Sequence, residues 1–410
     1  MKTTTGICKP KGRQEVLTER RRLKMARSAH AYVRGSTLKF YEWLESSIAE
    51  SLPKGPPVWI CGDCHLGNLG PVANAKGRVK MAIRDLDQSV IGNPTHDLIR
   101  LALSLATAIR GSDLPGVTTA LMLEQMMEGY EGELVGKAKG RKRSKDTPAC
   151  VRRVLKLAVK RKWHHLAEER IEDVTPVIPL GKCFWPLSKE ERREINNIFK
   201  APEVRRLITS LKDREDNDKV EVLDAAYWMK GCSSLGRLRF AVLVGVGNKN
   251  KRMKDNGFCL IDIKEAVAAA APRFVGNDMP RNHAQRVVEG ARKLSPFLGQ
   301  RMLPWQFLGS PVVLRELLPQ DLKLEMDQLS RDEAIEAARF LASVVGQAHA
   351  KQMDEESRRK WASELSRNRP KNLDAPSWLW ASVVQLVASH ESAYLEHCRQ
   401  YALKASSPLA

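Results

Sequence analysis

The sequence contains no hydrophobic run long enough to cross a membrane. Its longest apolar stretch, Leu98 to Ile109, is interrupted by Arg100 and falls short of the roughly 20 residues that a spanning helix requires. The first residues, MKTTTGICKPKGRQEV, include lysines but no apolar central region of the kind that a secretory signal requires. These absences predict a soluble, cytoplasmic protein with no membrane partner.

Closely spaced cysteines are scarce. Of the eight cysteines only Cys61 and Cys64 lie near each other, and in a reducing compartment we expect thiols rather than a disulfide framework. The motif Cys61-x-x-Cys64-His65 also has the spelling of a haem attachment site, and the pair alone suits a redox site or half of a zinc site. Haem attachment requires export and a zinc knuckle requires a second ligand pair. These readings are minor alternatives, which a Soret band or stoichiometric zinc would support.

Repeats and long low-complexity tracts are missing as well, and the composition is that of an ordinary globular protein, with 43% hydrophobic and 28% charged residues. Single hydrophobic cores rarely grow beyond about 250 to 300 residues. A chain of 410 residues is therefore expected to form two lobes or domains.

Positive charge is what the chain has in excess. The net charge of +20 favours polyanionic partners through long-range attraction. Two clusters, Lys11 to Arg27 and Lys137 to Lys162, contain much of this excess. Solvated helix faces and a basic loop are the simplest interpretation, and a surface for nucleic acid or for an acidic substrate is the alternative.

The pattern of apolar and turn residues divides the chain into three regions. Residues 1–220 are predicted to be mainly helical around short strands at Val58 to Cys61 and Lys80 to Arg84. Residues 221–320 are strand-rich, and residues 321–410 are helices that complete the helical part. We therefore expect an α+β fold with a small antiparallel β lobe and a larger helical lobe.

The strand-rich region predicts an antiparallel meander, a helix and then two more strands. The extended runs are Tyr227 to Lys230, Arg237 to Val246, Phe258 to Lys264, Trp305 to Leu308 and Val312 to Leu317. Asp255-Asn256-Gly257 is a strong hairpin signal, and apolar residues from Ala284 to Leu294 recur at helical spacing. Ser330 and Glu333 form a capping box that opens another helix. Further helix within Leu373 to Tyr401 is expected to dock onto the first helical region.

Four polar residues of the first region have the spacing of a phosphoryl-transfer site. Asp63 stands five positions before Asn68, directly after a predicted strand, which is the spacing of a kinase catalytic loop. Asp85 and Asp87 follow a predicted hairpin. Phosphoryl transfer needs one carboxylate to orient the acceptor hydroxyl, here Asp63, and oxygen ligands for magnesium, here Asn68 and Asp85. His65 would contact a phosphate or the acceptor, or instead bond the loop backbone as a structural histidine.

Asp97 lies at the start of a predicted buried helix, Thr95 to Arg110. A carboxylate at this end of a helix is favoured as a cap. We interpret Asp97 as such a cap or as a buried brace that accepts hydrogen bonds from the backbone of the Asp63 loop.

The segments GDCHLGN, IRDLDQS and GNPTHDLIRL resemble the aminoglycoside-phosphotransferase branch of the kinase-like superfamily. They are more similar still to the DUF2252 family of uncharacterised bacterial proteins, in which CGD, N, DFD and a following Asp recur. Further matching blocks include ARSAHAYVRG, which ends in Arg34-Gly35, and Leu314-Arg315-Glu316-Leu317. The blocks touch most of residues 26–350. The resemblance implies a kinase-like protein that uses ATP and Mg²⁺.

The order of the motifs implies a circular permutation of that fold. In a protein kinase the glycine loop and the lysine strand precede the catalytic loop, whereas here the catalytic loop comes first. In this interpretation residues 231–236 cover the phosphates through Gly231, Ser234 and Gly236, and Lys264 reaches the phosphates. Ser233 replaces the central glycine of the usual pattern, which puts close backbone approach in doubt at that point.

Three further site residues follow from the same resemblance. Glu289, on the helix after Lys264, is the candidate ion-pair partner of that lysine, with Glu265 as its competitor. Glu316 is a candidate cofactor-binding residue and Arg34 a further candidate site residue, and both lie in matching blocks. The departures from the kinase pattern include Cys61 in place of the histidine that opens many catalytic loops and Asp87 in place of the glycine after the metal aspartate.

The sequence thus predicts an ATP- and Mg²⁺-dependent phosphotransferase whose hydroxyl acceptor it does not identify. The alternative is a nucleic-acid-binding or polyanion-binding protein on a kinase-like pseudoenzyme scaffold, and nucleotidyl transfer is a third hypothesis. The first hypothesis requires Asp63, Asn68, Asp85 and Lys264 to line one cleft. It is wrong if Lys264 lies on an outer surface remote from Asp85.

Overall fold

The computed structural model is an α+β arrangement of helices and antiparallel sheets, so the predicted class is confirmed. It describes residues 8–45, 51–109, 116–135, 147–171, 177–211, 214–232, 234–247, 257–274, 276, 278–322, 329–367 and 375–402. The predicted turn residues Asp255 and Asn256 and the start of the basic segment at Lys137 lie outside these ranges. In the described part of the chain, no helix combines the length and apolar character needed to cross a membrane.

The α-helices are α1 (Arg13–Met25), α2 (Ala29–Gly35), α3 (Thr37–Leu44), α4 (Thr95–Ile109), α5 (Gly116–Leu134), α6 (Ala149–Lys160), α7 (Trp163–Ile171), α8 (Lys189–Ile198), α9 (Pro202–Thr209), α10 (His283–Leu294), α11 (Pro296–Gly299), α12 (Arg331–Ala350), α13 (Glu355–Ser366) and α14 (Ser377–His397). The strands are β1 (Val58–Ile60), β2 (Leu69–Ala73), β3 (Val79–Ile83), β4 (Val90–Gly92), β5 (Phe184–Trp185), β6 (Val220–Trp228), β7 (Arg239–Val246), β8 (Phe258–Glu265), β9 (Met302–Phe307) and β10 (Ser310–Leu317).

Six strands form one antiparallel sheet in the order β5-β6-β7-β8-β10-β9. The predicted meander is its centre, because β6 pairs with β7 and β7 pairs with β8. β7 is buried along its whole length, as its continuous apolar run predicts. The predicted hairpin is β9 and β10, which turn at Leu308 and Gly309 with φ of 48° and 82°.

Alternate residues along each strand point to opposite faces of this sheet. Phe240 and Val242 of β7 belong to an apolar layer that also contains Leu17 of α1 and residues of α8 and α9. The other face is apolar at one end, where Leu166 of α7 covers it. At the other end it is charged. We call this part the charged face, and it consists of Arg239, Asp262, Lys264 and Arg315.

The region boundary predicted at residue 220 does not coincide with the limits of the sheet. β5 pairs with the end of β6 through Phe184 and Trp185, and α8 and α9 pack on the sheet through Ile195 and Ile208. Residues before 220 therefore belong to the strand-rich part as well. Periodicity identifies the buried face of a helix but not the element that covers it.

The remaining helices share a second core with the two small sheets. α12 begins with the predicted capping box, in which Ser330 and Glu333 each bond the backbone N–H of the other. α14 packs on α4 and α2, which confirms the docking predicted for the last helix. α5 and α12 form a close helix pair, in which Gly129 faces the backbone of Arg339.

Two small sheets hold the loops that contain the predicted acids. β1 pairs with β4, and β2 pairs with β3. β1 ends at Ile60, just before the Asp63 loop, and β3 ends at Ile83, just before Asp85. β4 has only three residues, too few for a periodicity signal, and it was not predicted.

Gly129→Ala tests the close packing of α5 and α12. The added methyl group would overlap the carbonyl oxygen of Arg339, so we expect the free energy of unfolding to fall by about 1 to 3 kcal/mol. Gly132→Ala is the matched control, because it lies on the same helix and no described atom lies within 4 Å of its added methyl group. We expect this control to raise stability by about 0.4 to 1 kcal/mol. Urea unfolding measures both, and equal shifts would contradict the packing.

Candidate functional site

A cavity of about 390 Å³ lies between the charged face of the sheet and residues of the Asp63 and Asp85 loops. Its lining includes seven cations, which are Lys24, Arg34, Arg84, Lys230, Arg239, Lys264 and Arg315, and three aspartates, which are Asp63, Asp85 and Asp321. Asp87 and Asp262 pair with Lys264 and Arg239, so seven cations stand against five aspartates and two positive charges remain in excess. Such a lining is suited to a ligand with several negative charges, such as a chain of phosphates.

Lys264 and the two aspartates after β3 meet in this cavity. Lys264 Nζ lies 3.5 Å from Asp85 Oδ2 and forms a closer ion pair with Asp87 Oδ2. Burial opposes ionisation of Asp85, but Lys264 and Arg315 outweigh it and hold the pKa of Asp85 below its ordinary value. Burial and the neighbouring Asp85 carboxylate raise the pKa of Asp87. Asp85 is thus the carboxylate of the pair that is better able to hold a metal as an anion.

Arg286 of α10 fixes the main chain around these aspartates. Its guanidinium donates to the carbonyl oxygens of Asp87 at 2.8 Å and of Val267 at 2.9 Å, and also to that of Ser89. Burial lowers the pKa of Arg286 to about 10, so the side chain is still charged at neutral pH. Sequence reasoning missed this residue, because Arg286 lies off the apolar stripe of α10 and its burial depends on the loops that pack there.

Asp262 holds the other cations of the charged face together. Arg239 donates to both of its carboxylate oxygens, at 2.8 and 2.6 Å, and Arg315 lies 3.4 Å from Oδ2. Burial opposes ionisation, but Arg239 holds the pKa of Asp262 below its ordinary value. Arg315 also donates to the carbonyl oxygen of Arg84 at 3.1 Å, which connects the sheet to the Asp85 loop. Sequence reasoning missed Arg239, Asp262 and Arg315, whose signal is a charge in an apolar strand.

A buried arginine holds Asp63. Arg100 Nε donates to Asp63 Oδ1 at 2.8 Å, and its Nη2 donates to the carbonyl oxygen of Val33 at 2.6 Å. Asp63 Oδ2 lies 3.8 Å from His65 Nε2. The amide nitrogen of Asn68 donates to the main-chain oxygen of Asp63 at 2.9 Å. The amide oxygen is therefore the atom of Asn68 that can bind a metal.

Asp97 supports the same loop from the protein interior. Its carboxylate is buried and accepts hydrogen bonds from the backbone N–H groups of Cys61 at 2.7 Å and Gly62 at 2.9 Å. This is the geometry predicted for a brace. His349 Nε2 lies 3.2 Å from Asp97, and the hydroxyl of Tyr130 lies 3.0 Å from His349 Nδ1.

The cysteine pair lies behind this loop. Cys61 and Cys64 are both buried. A hydrogen bond with Cys64, followed by burial, raises the pKa of the Cys61 thiol. A thiol that stays protonated is a poor nucleophile, so redox chemistry is not favoured at this pair.

The predicted phosphate-covering segment reaches the cavity in part. Gly231 and Ser234 line it, whereas Gly236 does not and instead packs against α1. Ser233 lies outside the described residues. Gly231 has a φ of 92°, which favours glycine because it has no Cβ. Lys24 Nζ donates to the carbonyl oxygen of Gly231 at 2.7 Å and ties α1 to this turn.

Glu289 does not form the ion pair predicted for it. Its carboxylate pairs with Arg292, one turn further along α10. The competitor Glu265 accepts a hydrogen bond from the backbone N–H of Leu238 at 2.8 Å. Lys264 instead pairs with Asp85 and Asp87, because the loop after β3 lies against the end of β8.

Glu316 lies on the wrong face of the sheet for the predicted role. It pairs with Arg214 at 2.9 Å, and both side chains are buried. Side chains alternate along a strand, so Arg315 faces the cavity and Glu316 faces the opposite side. Arg315, the neighbouring residue of the same matching block, is the one that lines the cavity.

These features define a class of protein, an α+β protein whose cavity combines excess positive charge with two separate aspartate loops. The family described as "Uncharacterized protein conserved in bacteria (DUF2252)" matches residues 13–400. The chain belongs to the DUF2252 family, as its motifs predicted. Searches of the curated proteins and of the solved structures found no match.

His65 offers a test of the burial of the site. It lines the cavity, its Nδ1 has no hydrogen-bond partner among the described residues, and burial lowers the pKa of His65 to about 4. The ordinary value is about 6.5. The unfolded chain therefore binds a proton more readily, and stability is lost as the pH falls from about 6.5 towards 4.

We expect His65→Gln to weaken this pH dependence. The wild-type loss from His65 should be on the order of 3 kcal/mol over that interval, and the variant should lack it. The free energy of urea unfolding at pH 7 and pH 4, compared between the two proteins, isolates the histidine from carboxylates that both share. Equal losses of stability in both proteins would show that the pKa of His65 is the same in the folded and unfolded states.

Proposed function

We propose that this protein is an ATP- and Mg²⁺-dependent phosphotransferase that transfers the terminal phosphate of the nucleotide to a hydroxyl group. The observation that supports this best is that Asp63, Asn68, Asp85 and Lys264 line one cavity. They come from three separate stretches of the chain, and each has a distinct task in phosphoryl transfer.

The phosphate chain is the part of a nucleotide that the positive charge of the cavity would attract most strongly. Lys264 and Arg315 stand on the charged face, within reach of the Asp85 loop. A nucleoside triphosphate, with about four negative charges, has the sign of charge that this cation-rich lining favours. Gly231 and Ser234 would cover the phosphates from the turn before β7.

The residues also suit a magnesium ion. Among the described residues no three His, Cys, Asp or Glu side chains form a metal cluster, and Mg²⁺ is usually bound by one or two carboxylates together with water and substrate phosphates. Asp85 and the amide oxygen of Asn68 are the protein ligands that we propose. When bound, the metal would neutralise charge on the phosphate oxygens. Because Lys264 would repel a metal bound without phosphate, metal and nucleotide should bind cooperatively.

Asp63 would orient the acceptor. Its Oδ1 is held by Arg100, which leaves Oδ2 to accept the hydroxyl proton. In the transfer, a bond forms between the acceptor oxygen and the terminal phosphorus, and the bond from that phosphorus to the bridging oxygen breaks. ADP leaves with the electron pair, and the acceptor proton passes to Asp63.

The order of these parts supports a circularly permuted kinase-like, bilobal fold. The meander β6 to β8 carries the lysine, and it follows the Asp63 and Asp85 loops in the sequence. The Asp85 loop nevertheless lies against the end of β8, and Asp63 lines the same cavity. This spatial relation, rather than the chain order, is what the proposed chemistry requires.

The size of the cavity helps to distinguish between the rival functions. A volume of about 390 Å³ lies in the range of about 300 to 1,000 Å³ typical of small-molecule sites, which favours a nucleotide over a nucleic-acid strand. Nucleotidyl transfer would use the same phosphate site. It differs in its products, because it releases pyrophosphate instead of ADP.

Asp85→Asn tests the metal site. The variant loses the charge that attracts Mg²⁺, so we expect Mg²⁺-dependent ATP binding to weaken at least tenfold. Calorimetric titration of ATP with and without Mg²⁺ measures this. Asp216→Asn, at an exposed position, is the matched control and should bind like the wild type. Unchanged binding in Asp85→Asn, or none in the wild type, would refute the proposed function.

Asp63→Asn tests the acceptor step. Asparagine can still accept the hydrogen bond from Arg100 but cannot take up the hydroxyl proton. We expect Mg²⁺-dependent ATP turnover to fall by roughly 10² to 10⁴, while calorimetric ATP affinity stays within about threefold of the wild type. Turnover equal to the wild type would remove Asp63 from the proposed role.

A further inference from the structure

Arg34 lies beside the Asp63 loop. It lies at the end of α2, next to Val33, whose carbonyl oxygen accepts a hydrogen bond from the same Arg100 that holds Asp63. One buried arginine thus ties the end of α2 to the carboxylate proposed to orient the acceptor. This link holds the backbone next to Arg34 close to the Asp63 loop.

The guanidinium of Arg34 lies directly against the backbone of the loop at Gly67. A Cβ atom on Gly67 would be 2.8 Å from Arg34 Nη2 and 2.9 Å from Cζ. The absence of a side chain at this position therefore lets the guanidinium lie over the loop between Asp63 and Asn68. The Nε of Arg34 is buried and has no hydrogen-bond partner among the described residues.

Arg34 and Lys24 differ from the cations of the charged face in their partners. Lys264 pairs with two aspartates, and Arg239 and Arg315 share Asp262. In the described part of the chain, neither Arg34 nor Lys24 has a carboxylate within ion-pair distance, and Lys24 instead donates to the carbonyl oxygen of Gly231. Both line the cavity. Their charge is available to a ligand.

We propose that Arg34 and Lys24 bind the phosphate group of the acceptor, so that the substrate is a phosphomonoester that also carries the reacting hydroxyl. This rests on the proposed function, because it assigns the acceptor of the same site. Two cations match the two negative charges of a phosphomonoester, and the planar guanidinium of arginine suits two of its oxygens. A neutral alcohol would leave both cations without a counter-charge.

The test uses the full-length protein saturated with Mg²⁺ and a non-hydrolysable ATP analogue, into which inorganic phosphate and glycerol 3-phosphate are titrated by calorimetry. We expect one equivalent of each to bind in the wild type. Arg34→Gln should weaken both at least tenfold while the analogue itself still binds. Arg193→Gln, which removes an exposed arginine of α8, is the matched control and should have no effect.

Gly67→Ala is a second variant that keeps the arginine. Its methyl group would meet the ends of the Arg34 and His65 side chains rather than backbone, so we expect folding to be retained, the guanidinium to be displaced and phosphate affinity to fall. A thermal melt checks the folding of each variant. Loss of phosphate binding in both variants, with normal melts, supports the assignment.

Three outcomes overturn it. Phosphate binding that is insensitive to Arg34→Gln would show that the acceptor phosphate is bound elsewhere or not at all. Tenfold weaker binding of the nucleotide analogue to Arg34→Gln, without a separate phosphate site, would assign Arg34 to the nucleotide. Acetate that binds in place of both phosphate probes would indicate a carboxylate acceptor. These leave the proposed function intact, whereas absence of Mg²⁺-dependent nucleotide binding in the wild type refutes that function first.

Discussion

The buried carboxylate of Asp97 is the interaction on which the candidate site depends. A charge removed from water is stable only when hydrogen bonds replace its hydration. Here the replacements come from two parts of the chain, the backbone of Cys61 and Gly62 and the imidazole of His349. The Asp97 carboxylate therefore connects its own helix, α4, to the Asp63 loop and to α12. The position of Asp63 is consequently tied to the packing of the helical core.

Positive and negative side chains are distributed unevenly around the cavity. On the sheet side, Asp262 neutralises part of the arginine charge and keeps those side chains in place. On the same face, Lys264 contacts the two aspartates of the loop after β3. Near α2, Arg34 and Lys24 face the cavity with their charge uncompensated by described carboxylates. This asymmetry is what separates a nucleotide side from an acceptor side in our proposal.

Much of the fold could be predicted because its signals are local. The continuous apolar run of β7 and the capping box at Ser330 depend only on neighbouring residues, and both elements occur as predicted. The region boundary at residue 220 was less reliable. α8 and α9 have ordinary amphipathic patterns, and only the packed structure shows that their partner is the sheet. The three-residue strand β4 is stabilised by its pairing with β1 and has no signal of its own.

Sequence motifs were sufficient to select four polar residues of the cavity, because Asp63, Asn68, Asp85 and Lys264 all line it. Which of these groups contact one another depends on long-range packing. Strand alternation placed Arg315, not the neighbouring Glu316, on the cavity side, and the fold directed Lys264 to aspartates about 180 residues away. A motif records residue type and spacing along the chain, whereas an ion pair depends on a distance of a few ångströms that long-range packing sets.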